Sequence, residues 1–243
     1  MANLFSSFTK KKLFGKGRNL VSFDEPFDVM PRLLKGHAVT GIIDAGASSG
    51  RISRRLLRRF PDAQVYAFEP NPLYAAALKQ YENEDSRFHP QFLALSDCEG
   101  DAALHVTESP GNASLLTPGE RLRDIASEGA TVKADEKVEL VTIDNWAKRN
   151  GDLSIELIKL DIQGAELKAL RGAARMLEDS TLIVYTEICF NPLYEGGALY
   201  GEIDLLLRDY GFGLYDIYKP KCDSRGLIMW ANAIFVNLKR LGL

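Results

Sequence analysis

From about residue 40 onward, short apolar runs alternate with segments whose apolar positions recur at helical spacing. That alternation predicts strands joined by crossover helices in an α/β fold with a mostly parallel sheet. The first strand covers residues 40–45 and ends in a glycine-containing turn. In the helix that follows, Ile52, Leu56 and Phe60 share one face, while Arg51, Arg54, Arg55, Arg58 and Arg59 read as its solvated side. A second strand at 64–69 is ended by Pro70-Asn71-Pro72. A third is expected near 92–95, stopping at Ser96-Asp97-Cys98-Glu99-Gly100.

Residues 101–141 break this rhythm. They hold a strand at 103–106, a Gly/Asn/Ser loop at 111–114 and a short strand at 138–143, and they read as an insertion of the kind that carries substrate contacts. The rhythm resumes with a fourth strand at 155–161, a helix bearing Leu167, Leu170, Met176 and Leu177, and a fifth strand at 182–187. A helix across 203–207 leads to strands at 212–218 and 231–238. Only the 219–229 loop separates that last pair, so they must form an antiparallel hairpin, because a parallel pair needs a longer crossover.

The 243 residues suffice for one substantial domain, here assigned to 37–243, preceded by a basic N-terminal segment and lead-in helix at 1–36. A net charge of -3 argues against phosphate-backbone binding, so no nucleic-acid partner is expected. Cys98, Cys189 and Cys222 have no metal-ligand spacing and read as reduced thiols of a cytoplasmic protein. No apolar run reaches the roughly 20 residues of a transmembrane helix. The N-terminus, with Phe5, Phe8 and Phe14 among Lys10, Lys11, Lys12, Lys16 and Arg18, does not read as a secretory signal. This basic, aromatic stretch reads first as a mobile or loosely packed terminus, with weak peripheral contact with a membrane, or contact with a substrate, as the other readings. The sequence specifies no oligomeric state.

In an open α/β sheet, ligands bind beyond the carboxyl ends of the strands. Polar groups gather there in succession: residues 44–50 after strand one, Glu69 after two, Ser96 and Asp97 after three, Asp161 after four and Glu187 after five. The first turn, Asp44-Ala45-Gly46-Ala47-Ser48-Ser49-Gly50, lacks the middle glycine of a dinucleotide fingerprint and ends in no GK[ST]. A ligand without pyrophosphate follows, and Asp44 suits an ammonium better than a phosphate. Glu69, about twenty residues on, is placed to accept both hydroxyls of a ribose, whichever cofactor carries it. Asp97 is placed to accept from an adenine amino group or simply to form a turn.

Taken together, Ile43 to Gly50, Ala67-Phe68-Glu69-Pro70-Asn71-Pro72, Ala94-Leu95-Ser96-Asp97, Val141-Thr142-Ile143-Asp144-Asn145-Trp146, and Ile158-Lys159-Leu160-Asp161-Ile162-Gln163-Gly164-Ala165-Glu166 resemble the FkbM-type methyltransferases over roughly residues 40–238. The resemblance implies a class I, Rossmann-like sheet of seven strands with a terminal antiparallel hairpin. It implies S-adenosylmethionine as cofactor, S-adenosylhomocysteine as product, and O-methylation of a hydroxyl on a sugar, glycolipid or polyketide-like molecule. Asp44, Gly46, Ala47, Ser48, Ser49, Gly50, Glu69, Pro70, Asn71, Ser96, Asp97 and Asp161 then form the cofactor-binding set. The sequence departs from the family's usual pattern in two places: Ser48-Ser49 replaces an asparagine-containing turn, and Gln163 stands where glutamate is common.

Methyl transfer to an alcohol is an in-line displacement that needs close positioning and a base for the hydroxyl proton. Asp161 is the first candidate and Glu187 the second, with Asp161 equally able to anchor the cofactor. Lys159 shares a strand face with Asp161 and is expected to hold substrate or tune that acid. His37, His89 and His105 lack ligand spacing. An oxygen-rich Mg²⁺ site from Asp161, Glu187 and Asn191 is conceivable but not predicted. Ser114 is a candidate for the acceptor pocket, and Glu166 is explained by its helix dipole. Two alternatives remain open. A nicotinamide-dependent oxidoreductase would want the missing glycine and has no need of the hairpin. A non-catalytic binding module on the same scaffold is compatible with fold alone.

Overall fold

In the computed structural model, which describes residues 24–243, the alternation resolves into a seven-stranded sheet. Its parallel strands are β1 (Gly41–Ala45), β2 (Gln64–Phe68), β3 (Phe88–Gln91), β7 (Leu157–Leu160), β8 (Ile183–Cys189) and β9 (Phe212–Cys222). The order is β3-β2-β1-β7-β8-β10-β9, and β10 (Ile228–Asn237) lies antiparallel between β8 and β9, so the hairpin inferred from the short connection is present. The basic run within residues 1–23 lies outside the described residues; the lead-in helix is α1 (Pro26–Leu33). Among the described residues no helix is long and apolar enough to cross a membrane.

Every residue of β1 and β7 is buried, as expected of parallel strands covered on both faces. Alternation sends neighbours to opposite cores. Ile42 packs with Met30, Leu56 and Leu78 beneath α1, α2 (Arg51–Arg59) and α3 (Ala75–Glu84). Ile43 packs with Trp146, Leu170 and Leu207 beneath α6 (Ile143–Arg149), α7 (Glu166–Arg171), α8 (Ala174–Asp179) and α9 (Tyr200–Asp209). The arginines of α2 mostly pair outward, Arg55 with Glu25, Arg54 with Glu84 and Arg59 with Asp28.

The third core strand is Phe88–Gln91, upstream of its expected place at 92–95. Pro90 hides it from a propensity reading, since proline cannot serve a central strand; β3 is an edge strand, where proline is tolerated. Ala94 and Leu95 form β4 of a separate three-stranded sheet, pairing in parallel with Leu140 and Val141 of β6 (Val132–Val141). β5 (Gly100–Thr107) runs antiparallel along β6, from Gly100 opposite Leu140 to Thr107 opposite Val132. The 101–141 segment is thus a sheet-anchored excursion carrying two short helices, α4 (Glu120–Ile125) and α5 (Ser127–Ala130). Ile143, expected to end a strand, instead opens α6 behind a Thr142 cap that accepts from Asn145 N at 3.1 Å.

Asp144 has a structural task. Its carboxylate accepts from Arg175 N at 2.8 Å and Met176 N at 3.0 Å, satisfying two N–H groups at the start of α8. Asp144→Ala should lower stability by about 1–2 kcal/mol, as loss of an N-cap does. In urea unfolding the midpoint should fall while the slope stays at its wild-type value.

Candidate active site

Where β1 ends, the chain turns sharply against two neighbouring strand ends. Gly46 N and Ala47 N both donate to Phe68 O, at 2.9 and 3.1 Å, and Asp161 N donates to Ala45 O at 3.2 Å. Gly46 is required here: its φ is +71°, and a Cβ would lie 1.9 Å from the Asp161 carbonyl oxygen. Ser48, also at positive φ, donates its N–H to Glu69 Oε2 at 2.8 Å.

Lys159 holds this turn from below. Its Nζ donates to Ala45 O at 2.9 Å and Gly46 O at 3.1 Å, and lies 2.8 Å from Asp44 Oδ1. Asp44 is fully buried, and its other oxygen accepts from Ser53 Oγ at 2.6 Å. Burial works against the charge on Lys159, yet Asp44, with Asp161 and Glu69 nearby, outweighs it and raises the lysine above its ordinary value. The ammonium that Asp44 faces is therefore the chain's own. Lys159 thus positions the turn through two backbone carbonyls and its ion pair with Asp44, while also lining the cavity beyond.

Beyond the turn lies a cavity of about 300 Å³. Its polar lining includes Gly46, Ala47, Ser48, Ser49, Arg51, Glu69, Lys159, Asp161 and Gln163. Its apolar lining includes Ile52, Pro70, Tyr74, Ala94 and Leu95, with Leu104, Pro110, Ala113 and Leu115 of the excursion. Glu69 is 7% exposed; burial raises its pKa, while N–H groups of Asn71 and Ser48 pull it back. Ser114 is at the wall, where its hydroxyl donates to Gln163 O at 2.7 Å and accepts from Leu116 N at 2.9 Å.

Gly46, Ala47, Ser48, Ser49, Glu69, Pro70, Lys159 and Asp161 thus line one cavity, while Asp44, Gly50, Asn71, Ser96, Asp97 and Glu187 do not. Asn71 caps the turn at Pro72–Tyr74, accepting from Leu73 N at 3.0 Å. Ser96 and Asp97 follow β4 in the small sheet, because core strand three has already ended at Gln91. Ser96 is buried with its hydroxyl 3.2 Å from Asp97 Oδ1, and Asp97 is exposed. Glu187 sits one step past the Leu160–Thr186 register pair, beside Asp161. Burial, then Asp161 and Glu166, raise its pKa well above the carboxylate range. Glu166 is more than a helix-dipole residue: it is 3% exposed, accepts from Ile162 N at 2.9 Å, and is pushed by burial to about 7.

Two of the three histidines have side-chain partners, His89 with Gln64 and His105 with Asp135. Asn191 Nδ2 donates to Ile228 O at 2.8 Å, and no cluster of three metal-ligating side chains occurs among the described residues. The residues missed from sequence are mainly apolar. Tyr74 and Ile52 had a signal, since each follows a recognised strand-end turn, but Leu104, Pro110 and Leu115 carry no chemical code.

Residues 44–214 match the Methyltransferase FkbM domain. The 2-O-methyltransferase NoeI of Sinorhizobium fredii is 33% identical over 175 residues, covering 68% of this chain and 70% of that protein. The chain belongs to the FkbM methyltransferase family. Methyltransferase sdnD of Sordaria araneosa is 28% identical over 197 residues, 71% of this chain and 73% of the relative. Among solved structures, the methyltransferase FkbM of Methylobacillus flagellatus KT aligns with a TM-score of 0.48 at 17% identity, covering 82% of this chain and 44% of that one. Family membership makes this methyltransferase an S-adenosylmethionine-dependent enzyme and sets aside the oxidoreductase and binding-module readings.

Two outcomes follow from the buried charges. Lys159→Met leaves Asp44 buried without its counter-charge and should cost about 3–5 kcal/mol, with the Asp44→Asn, Lys159→Met double variant recovering part of the loss in urea unfolding. Glu166, raised from its ordinary 4.5 to about 7, binds its proton more tightly folded than unfolded. Its contribution is therefore complete below about pH 4.5 and lost as pH rises through about 7. Between pH 5 and 8 the methyltransferase should lose stability through this group, and Glu166→Gln should flatten that decline. An identical slope in both proteins would remove Glu166 from the account.

Proposed function

We propose that this methyltransferase transfers a methyl group from S-adenosylmethionine to a hydroxyl oxygen of a sugar, glycolipid or polyketide-like acceptor. The observation that carries the donor site is Glu69. Each of its carboxylate oxygens accepts one backbone N–H, Asn71 to Oε1 at 2.9 Å and Ser48 to Oε2 at 2.8 Å. A carboxylate has about four acceptor positions, so two remain at the cavity wall for the paired hydroxyls of a ribose. The donor set fits the cofactor elsewhere too. Tyr74, Leu95 and Ile52 offer an apolar surface for a purine. Glu69 and Asp161 share the lining with Arg51 and Lys159, so the wall offers carboxylates for the ammonium of an amino-acid moiety and a cation for its carboxylate.

When bound, S-adenosylmethionine supplies an electrophilic methyl group. The chain must then hold the acceptor oxygen in line and take its proton. Asp161 at the cavity wall is the assigned base, or the cofactor's anchor with Glu187 as base. Burial and the neighbouring Asp161 and Glu166 raise the pKa of Glu187. The acceptor side is assigned to the excursion, whose Leu104, Pro110, Ala113 and Leu115 offer an apolar wall. The name of the 2-O-methyltransferase relative supports a hydroxyl acceptor. Cys98 and Cys222 are exposed free thiols, which suits a reducing, cytoplasmic setting.

Thermal unfolding of wild type and Glu69→Ala with S-adenosylhomocysteine, and separately with NAD, checks the donor site. At about 100 times its dissociation constant the homocysteine nucleoside should add roughly 2.7 kcal/mol to the wild type and little to the variant. Stabilisation by NAD alone would sink the reading. With methyl-labelled cofactor and hydroxylated acceptors, the product label should survive alkali as an ether; alkali-labile label would point to a carboxyl acceptor.

A further inference from the structure

Gln163 stands between the acid of the site and the loops that enclose it. Its Nε2 donates to Asp161 Oδ1 at 2.8 Å, and its Oε1 accepts from Tyr194 Oη at 2.6 Å. The sense of the amide is dictated by chemistry: a carboxylate only accepts, so the NH₂ must face Asp161 and the carbonyl must face the phenol. Burial raises the Tyr194 pKa far above the working range, so the phenol keeps the proton it donates. Asp161 Oδ2 accepts no hydrogen bond among the described residues, and Asp161 lines the cavity.

The backbone around Gln163 is forced into place. Gln163 has φ +56° and Gly164 φ +95°, and left-handed geometry is uncommon for a residue with a side chain. Three contacts hold it. Ser114 Oγ donates to Gln163 O at 2.7 Å, Ala198 N donates to Gly164 O at 3.4 Å, and the Tyr194 ring packs so closely that a Cβ on Gly164 would lie 3.0 Å from it. Tyr194 is 2% exposed and is itself pinned by a bridge to Pro118. Segments distant in sequence therefore converge on one amide.

We propose that Gln163 is a positioning residue: its amide fixes Asp161 Oδ1 and so aims Oδ2 at the cavity ligand, while Tyr194 fixes the sense of the amide. This rests on the reading that Asp161 acts on what the cavity holds. A glutamate could accept from Tyr194 but could not donate to Asp161 unless it kept a proton, so in this chain the amide makes a contact that an ionised glutamate would not. The assignment also links the acid to the acceptor side, because Ser114 of the excursion grips the same residue.

Carboxyl ¹³C titration of Asp161, identified by its loss in Asp161→Asn, tests this without any ligand. The other charged and titratable groups around Asp161 are Lys159 from β7, Glu166 from α7, Tyr185, Glu187 and Cys189 from β8, and Tyr194 from its loop. None of them is altered in the key variants. Gln163→Leu removes the donor and should raise the Asp161 midpoint by about 1 in pH; Gln163→Glu adds a like charge and should raise it further. Tyr194→Phe should give a smaller rise. Midpoints within about 0.3 of wild type in both Gln163 variants, with the fold intact by amide spectra, would overturn the assignment. Calorimetry with S-adenosylhomocysteine is read separately. Wild type that fails to bind while the midpoints move would sink the donor-site reading and leave the role of Gln163 standing.

Discussion

Lys159 and Asp44 face each other across paired strands, and the placement of the cavity depends on that contact. They are register partners of β7 and β1, so no loop intervenes between the charges and the sheet. Taking two charges out of water is costly, and a buried pair of this kind contributes little net stability compared with well-packed apolar residues. What it does supply is position. The lysine draws the carbonyls of Ala45 and Gly46 inward, which commits their turn to one path. The N–H groups of that turn are then directed to the ends of the neighbouring strands: those of Gly46 and Ala47 reach the last carbonyl of β2, and that of Ser48 reaches Glu69. An apolar pair in the same place would pack well and leave the turn without this instruction.

The cavity built on that base is chemically divided. Its polar half comes from the ends of β1, β2 and β7, all central and fully supported. Its apolar half comes largely from the excursion and from residues just past the strand ends. Rigid sheet termini suit the part of the reaction that never varies, which is holding the donor. Ser114 and Tyr194 both tie the enclosing surface to Gln163.

Much of the first half was legible in the sequence, because strand ends in a parallel sheet share one edge and the acids at those ends mark it. Gly46, Glu69 and Asp161 needed only periodicity and spacing to be singled out. Pro90 disguises the true third strand, so the periodic pattern assigns its place to Ala94-Leu95, the strand that Ser96 and Asp97 follow. Lys159 and Asp44 were both noticed, but nothing in a one-dimensional pattern says that they neutralise each other. The sequence separation of 31 between Gln163 and Tyr194 likewise hides a 2.6 Å contact. Glu166 looked like an ordinary first-turn acid because burial is a property of the packed neighbours, Ile162 and the strand ends above all. The apolar wall was illegible for a related reason: Leu104 and Leu115 acquire meaning only once the small sheet folds them over the site.

The excursion leaves just after β4 and returns through the last residues of β6, which lie hydrogen-bonded side by side as Ala94 with Leu140 and Leu95 with Val141. Its entry and exit are therefore clamped together regardless of what lies between them. Lengthening or rewriting the intervening chain adds only a slowly growing closure entropy and leaves the seven-stranded sheet untouched. Such an arrangement lets descendants of one scaffold diversify in what they modify while inheriting intact the machinery that modifies it.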